Sequence, residues 1–444
     1  MVCQMATRDT KSYWQRYRSI PIVYRIGAAF VLGSVVGLIV GEPVTVLEPL
    51  GDIFVRLLSM IVVPIVIFTL LMGIRRISPS TLGRVGGQVI GLYAVMSAIA
   101  VVIGLAAANL VNPGTGLTLT EDVEFEPADT PDFLEVIVGI VPENPIGAMA
   151  EGDVLATIFF VIVFGLALLL LEEETEDETI RSGVESIFDI VEAGTEALFK
   201  IVWGIMEYGV IGVFALMAAV FGQAGIDALV PFALLIGTLL GAILVHIGVV
   251  YLGGLIIGLT RQSPVAFLVG SKDAIVTALS IRSSSGTLPV TMANADDNLR
   301  INEGVYGFSL PLGATINMDG TAMYQGVVAV FAANLVGVQL TLVEQVTVVL
   351  IAVLASIGAG GVPGTGLIML TLVLTQLGLP LEVVGFVAGV DPILDRLRTM
   401  TNVTGDLAVT TVVAHWNDAI DFDSGSWVDP TRGLEIGESV PGGD

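Results

Sequence analysis

Residues 311–326 read PLGATINMDGTAMYQG, and this stretch decides the fold. It lies inside a long apolar segment, yet its centre, Asn317-Met318-Asp319-Gly320-Thr321, carries an amide, a carboxylate and a glycine at helix depth. Further along, Asn402-Val403-Thr404-Gly405-Asp406 rhymes with it. Each of the two is preceded by a Gly- or Pro-broken apolar segment, Ser283-Ser284-Ser285-Gly286-Thr287-Leu288-Pro289 before the first and Ser356 to Gly366 (SIGAGGVPGTG) before the second. The last third of the chain therefore reads as two copies of one plan, a broken segment followed by a helix with a polar break.

Upstream the pattern is simpler. Apolar runs of about 20 residues suffice to span a bilayer, and they occur at 22–40, 44–73, 87–110, 154–171, 195–222 and 227–259. The sequence is 54% hydrophobic and 14% charged, with a mean hydropathy of +0.88. That is too apolar for a soluble chain of 444 residues, since an ordinary domain is about a quarter charged. Lys11, Arg16, Arg18 and Arg25 place the N-terminus inside, and Arg75, Arg76 and Arg84 place the second connection inside. No Lys or Arg occurs between 85 and 180, which puts the 111–153 loop outside; the acidic 172–193 connection then falls inside.

The formal net charge is -25. Glu121–Asp153, Glu172–Glu178 and Trp416–Asp444 hold 23 of the acids against one base, Arg432, so the charge lies in loops and tail, where acidic excess chiefly serves solvation, as in proteins of salt-loving organisms. The balance excludes a nucleic-acid partner, which needs a basic face. A single cysteine, Cys3, excludes an intrachain disulfide, and two distant histidines, His246 and His415, give little material for zinc or a catalytic triad. His246, inside an apolar run, reads as a satisfied or lumen-facing residue. No catalytic residue set and no resident cofactor is expected.

A helix that stops at membrane depth leaves N–H groups free on one side of the break and carbonyls on the other. Irregular backbone there is tolerated only where it is buried or lines a cavity, and paired interruptions in two halves point to a transport site. The N–H ends suit an anionic group. The carbonyls, with Asp319 and Asp406, form hard-oxygen sites for a small cation, Na⁺ above all. Arg398 offers a planar fork for a carboxylate and Asp395, three residues earlier, an acid for an ammonium. Together these groups describe an acidic amino acid. Against that stand plainer readings: Asp395 and Arg398 pair with each other, Arg282 and Asp391 tie hairpin to helix, and Met318 fills core or makes a weak sulfur contact beside an ion.

At these residues the chain resembles the glutamate transporter family, the dicarboxylate/amino acid:cation symporters. The signatures are RSSSGTLPVTM (282–292), PLGATINMDGTAMYQG (311–326), ASIGAGGVPGTG (355–366) and RTMTNVTGDL (398–407), and the match runs over essentially the whole chain except the acidic tail. The resemblance implies an all-α integral membrane protein with eight transmembrane helices, two re-entrant hairpins and inverted repeats, working as an elevator within a homotrimer. It divides the chain into an N-terminal interfacial helix and scaffold helices 1–2 (1–86), helix 3 of the transport domain (87–110), an acidic outer loop with scaffold helices 4–5 (111–225) and the rest of the transport domain (226–415). That last part holds helix 6, hairpin 1 at about 263–296, helix 7 at about 301–334, hairpin 2 at about 343–376 and helix 8 at about 383–415. An acidic cytoplasmic tail follows (416–444), both termini being cytoplasmic in a multi-pass protein of the cell membrane.

The resemblance also implies roles. Arg398 would hold the side-chain carboxylate and Asp395 the amino group. Arg282, Ser283, Ser284, Thr321, Thr399, Asn402 and the hairpin residues Gly361, Val362, Pro363, Gly364, Thr365 and Gly366 would complete the pocket. One sodium would use carbonyls of Gly313, Asn317 and Asn402 and the Asp406 carboxylate. A second would use carbonyls of Thr315, Ser356, Ile357 and Ala359, capped by the closing hairpin, and Met318 counts among the cation-site residues without assignment to one ion. A third would involve Tyr93, Ser97, Asn317 and Asp319. Two positions depart from the family pattern: Met96 stands where a Thr is usual, and a thioether is a poor sodium ligand, while Thr365 stands where smaller residues are common. The expected function is sodium-coupled import of aspartate or glutamate. The alternative is a sodium- or proton-coupled C4-dicarboxylate symporter, which Asp395 disfavours because an unneutralised buried acid repels a dianion.

Overall fold

The computed structural model describes residues 17, 19–75, 84–116, 138–357 and 364–429. Among them there is no strand; a single antiparallel bridge joins Ile301 to Ile420, and nearly everything else is helix.

The first helices form where apolar runs are longest. They are α1 (Ile22–Val40), α2 (Glu48–Arg75), α3 (Arg84–Val111), a short α4 (Pro145–Glu151), α5 (Val154–Glu174), α6 (Glu178–Ala224) and α7 (Leu229–Val245). α7 continues as a π-helical stretch over His246–Thr260. By length and composition the helices over 42–75, 84–111, 155–174, 178–260 and 264–281 can cross a membrane.

α6 corrects the expectation that 172–193 is a loop. The helix begins at Glu178, capped by the Asp177 carboxylate accepting from Thr179 N–H at 2.8 Å. Acids at a helix start suit the positive end of the helix dipole. Val184, Phe188, Val191 and Thr195 recur every three or four residues and are buried, so the acidic stretch is the wet face of an amphipathic helix. Arg75 lies over the Phe188 ring at 5.2 Å, within ion-pair range of Asp189 and Glu192.

α1 and α2 pack along α6, and α5 packs on α2. Arg25 of α1 forms a two-pronged pair with Glu207 of α6 at 2.6 and 2.8 Å. The helix backbones meet closely: a methyl carbon at Gly37 would collide with the Ala218 carbonyl and stand 2.8 Å from Gly222 N.

The last third contains two helix pairs whose members are joined by short breaks. α8 (Pro264–Ile281) and α9 (Ser284–Ala293) meet at Arg282-Ser283. α12 (Leu342–Ile357) and α13 (Thr365–Gln376) flank 358–363, which lie outside the described residues. Between the pairs runs α10 (Glu303–Ile316), interrupted at Asn317-Met318 and resumed as α11 (Asp319–Leu335). Asn317 and Met318 have φ/ψ of -98/83° and -113/51°, outside the helical region.

The second expected polar break does not exist. α14 (Glu382–Trp416) runs straight through Asn402–Asp406. Thr404, Thr410 and Thr411 each donate to the carbonyl four residues back, so their hydroxyls are satisfied within the helix. α11 and α14 are buried along nearly their whole length and pack on each other, on α3 and on the π-helical stretch.

Chain beyond α14 was expected to be a solvated tail. Up to residue 429 it instead folds back: Trp427 Nε1 donates to Leu299 O at 2.8 Å, Ser426 Oγ to Asn298 O at 3.1 Å, and Phe422 packs edge-on against Trp427.

Candidate substrate and cation site

α14 presents Asp391, Asp395, Arg398, Asn402 and Asp406, spaced four, three, four and four apart, which places all five along one face. All five are at least nine-tenths buried, and Arg398 is 1% exposed. So large a charge survives there because it is paired. Arg398 Nη2 donates to Asp395 Oδ1 at 2.8 Å, and Nη1 lies 2.8 Å from Asp391 Oδ1, an ion pair without hydrogen-bond alignment. The guanidinium also lies over the Tyr324 ring at 4.2 Å. Its Nε has no hydrogen-bond partner among the described residues.

Hairpin residues close in from two sides. Gly366, in the first turn of α13, abuts the guanidinium: a methyl carbon there would stand 2.7 Å from Arg398 Nη2. From the other side Arg282 Nη1 reaches Asp395 Oδ2 at 3.4 Å. The expectation that Arg282 ties to Asp391 is thus corrected; the partner is the acid one turn further on. Ser283 caps α9 by accepting from Gly286 N–H at 2.9 Å. Ser284 and Thr365 are buried beside these tips, and Thr321 is buried in the first turn of α11. Thr399 spends its hydroxyl on Asp395 O. Gly361, Val362, Pro363 and Ala359 lie outside the described residues, and Ser356 and Ile357 end α12.

The interruption in α10–α11 is locked onto α14. Asn402 Oδ1 accepts from Gly320 N–H at 2.8 Å, and its amide nitrogen faces Met318 Sδ at 3.1 Å. Asn317 Nδ2 donates to Asp406 Oδ1 at 2.8 Å, while Asn317 Oδ1, fully buried, has no hydrogen-bond partner among the described residues. Gly313 is glycine by necessity: a methyl carbon would sit 2.5 Å from both Asp406 Oδ1 and the Tyr93 hydroxyl. The Asp406 carboxylate, the Tyr93 hydroxyl and the Asn317 amide thus meet around Gly313.

Asp319 gathers a second group. Ser97 Oγ donates to its Oδ1 at 2.6 Å and the Tyr251 hydroxyl to its Oδ2 at 2.5 Å. His246 Nε2 stands 3.5 Å from the same Oδ2, its ring edge-on to Tyr251 at 4.5 Å. Tyr93, expected here, instead donates to Ser309 O at 3.0 Å. His246 is not lumen-facing: it is fully buried, and among the described residues neither ring nitrogen has a hydrogen bond. Sequence reading missed the pair because residues five apart diverge by roughly 140° on an α-helix. In the π-helical stretch, with its i→i+5 bonding, they come onto one side. Among the described residues no three of His, Cys, Asp and Glu cluster as a transition-metal site.

The model of the sodium:dicarboxylate symporter family matches residues 22–416. The chain belongs to that family. Relatives at similar identity divide by substrate. A proton/sodium-glutamate symport protein of Geobacillus stearothermophilus is 32% identical over 423 residues, covering 92% of this chain and 97% of the relative. The proton/glutamate-aspartate symporter of Escherichia coli (strain K12) is 33% identical over 394 residues, covering 85% and 87%. A C4-dicarboxylate transport protein of Rhizobium johnstonii is 32% identical over 449 residues, covering 99% and 97%. This member of the sodium:dicarboxylate symporter family is accordingly a multi-pass membrane transporter and not an enzyme.

Proposed function

We propose that the protein is a sodium-coupled symporter that imports aspartate or glutamate. The observation that carries this reading is the buried pair on α14: Asp395 and Arg398, 2.8 Å apart, both within reach of the hairpin tips. A plain dicarboxylate needs cations only. An acidic amino acid needs one carboxylate as well, and Asp395 is that carboxylate.

In this reading Arg398 binds the side-chain carboxylate, Asp395 the amino group, and N–H groups at the starts of α9 and α13 the α-carboxylate. Sodium ions occupy the oxygen-rich volume of Gly313, Asn317, Asn402 and Asp406, and a further volume around Asp319 and Ser97. Substrate and ions each favour closure of the α12–α13 hairpin over the same site, so each raises the affinity of the other. α3, α7 with its π-helical continuation, both hairpins, α10–α11 and α14 move as one body against a trimeric scaffold of α1, α2, α5 and α6. Apolar side chains exposed on the scaffold, such as Leu32, Ile39 and Phe164, suit lipid or a neighbouring copy.

The second reading, C4-dicarboxylate transport, is favoured by relatives of that name at 30–32% identity. Uptake of labelled aspartate into proteoliposomes, with and without a sodium gradient and in competition with succinate and serine, separates the two. Sodium-dependent aspartate uptake resistant to succinate is expected; succinate outcompeting aspartate would overturn the role of Asp395.

A further inference from the structure

We infer that Arg282 is a stand-in for the substrate's amino group, released from Asp395 when an amino acid binds and retained when a plain dicarboxylate does. The inference rests on the acidic amino acid reading of the site above.

Backbone geometry comes first. Arg282 ends α8 with φ 60° and ψ 37°, the left-handed region that favours glycine. Arg261 and Arg300 adopt the same region, so the backbone alone does not single Arg282 out; the reach of its side chain does. That side chain crosses from hairpin to α14 and ends 3.4 Å from Asp395 Oδ2.

Asp395 thus holds a cation on each oxygen. The two contacts are unequal. Arg398 at 2.8 Å is as short as a charge-assisted hydrogen bond should be; Arg282 at 3.4 Å is not. The Arg398 side chain is 1% exposed and that of Arg282 is 11% exposed. A substrate ammonium bound to Asp395 beside Arg398 and Arg282 would put three cations around one carboxylate. The looser, wetter one gives way.

It has somewhere to go. Arg282 borders a cavity of about 670 Å³ that is also lined by Ser285, Thr315, Gly364, Asp391 and Glu196. The lining carries two carboxylates, Asp391, which already faces Arg398, and Glu196 on α6, so the cavity is a setting in which a released guanidinium stays near negative charge. The amino group of the substrate then does two things: it pairs with Asp395, and it unties the α8–α9 tip from α14. A C4-dicarboxylate has no cation to offer and leaves the tie in place.

Binding of aspartate and of succinate, which is aspartate without the amine, tests this in the full-length protein at saturating sodium. Arg282→Gly removes the competitor and suits the left-handed backbone, so it is expected to fold; Arg282→Lys keeps a positive charge. Arg282→Gly should tighten aspartate binding by roughly three- to tenfold, the scale on which one partly buried ion pair shifts an equilibrium. Succinate binding should not tighten, and Arg282→Lys should stay close to wild type. An unchanged aspartate-to-succinate ratio, parallel weakening of both ligands, or identical behaviour of the two variants would overturn the inference alone. A wild-type protein that binds succinate but not aspartate would overturn the amino acid reading and this inference with it.

Discussion

At the scale of single residues, the site is set by where charge is buried. Asp319, Asp395, Arg398 and Asp406 were legible because ionisable groups are rare in apolar runs and costly there unless used. Their partners were less legible. The acid that Arg282 meets is one of two, Asp391 and Asp395, a single turn apart on the same face, and composition does not choose between them. His246 was misjudged because its alignment with Tyr251 depends on winding that α-helical periodicity does not anticipate. Two outcomes belong at this scale. Gly366→Ala places a methyl against Arg398 Nη2 and is expected to weaken acidic-substrate binding at least about tenfold, read by equilibrium binding, with a smaller loss in thermal stability of the unliganded protein. Asp406→Asn removes the charge that Asn317 orients, and the sodium concentration for half-maximal substrate binding should rise by about tenfold or more. An unaltered sodium dependence would place the ion elsewhere.

Among the elements, apolar runs foretold helices well where they were uninterrupted, as for α1, whose observed span is 22–40. They failed where a helix was amphipathic or internally polar. α6 carries its acids on a wet face and so looked like a loop from 172 to 193. α14 looked broken because its Asn402–Asp406 segment copies the true break at Asn317–Thr321. The difference is local: Asn317 and Met318 leave helical φ/ψ, whereas the threonines of α14 satisfy their hydroxyls on the helix itself. The segment after α14 also behaves as an element. Trp427 holds it to the start of the α10 connection through Leu299. Trp427→Ala removes a half-buried ring and a hydrogen bond, together about 2 kcal/mol, and should lower the apparent melting temperature by a few degrees. The same variant should speed maleimide labelling of a cysteine placed at Asn298 in a Cys3→Ser background. An unchanged labelling rate would mean the segment does not restrain that end of the hairpin.

For the whole molecule, the greasy composition and the net charge of -25 are separate matters. The buried acids of α14 and α11 are few, Asp391 and Asp395 paired with arginines and Asp319 and Asp406 held by neutral donors, while the excess lies in connections and tail. The movement proposed above makes a prediction of its own. Gly385 of α14 packs directly against Leu216 of α6, across the boundary between the two groups of helices. A disulfide between cysteines at these positions should abolish uptake while substrate binding survives, and reduction should restore uptake. Continued transport by the cross-linked protein would exclude relative motion there. α14 adds a constraint of phase. From Asp395 to Asp406 an unbroken helix rises about 16 Å, and each inserted residue would turn everything beyond it by about 100°. One rigid ruler therefore fixes the interval between Asp395, the acid proposed for the amino group, and Asp406, the acid proposed for the cation. A member of this architecture that changes its cargo can do so by exchanging side chains along the ruler or by reshaping the breaks facing it, but not by altering the interval.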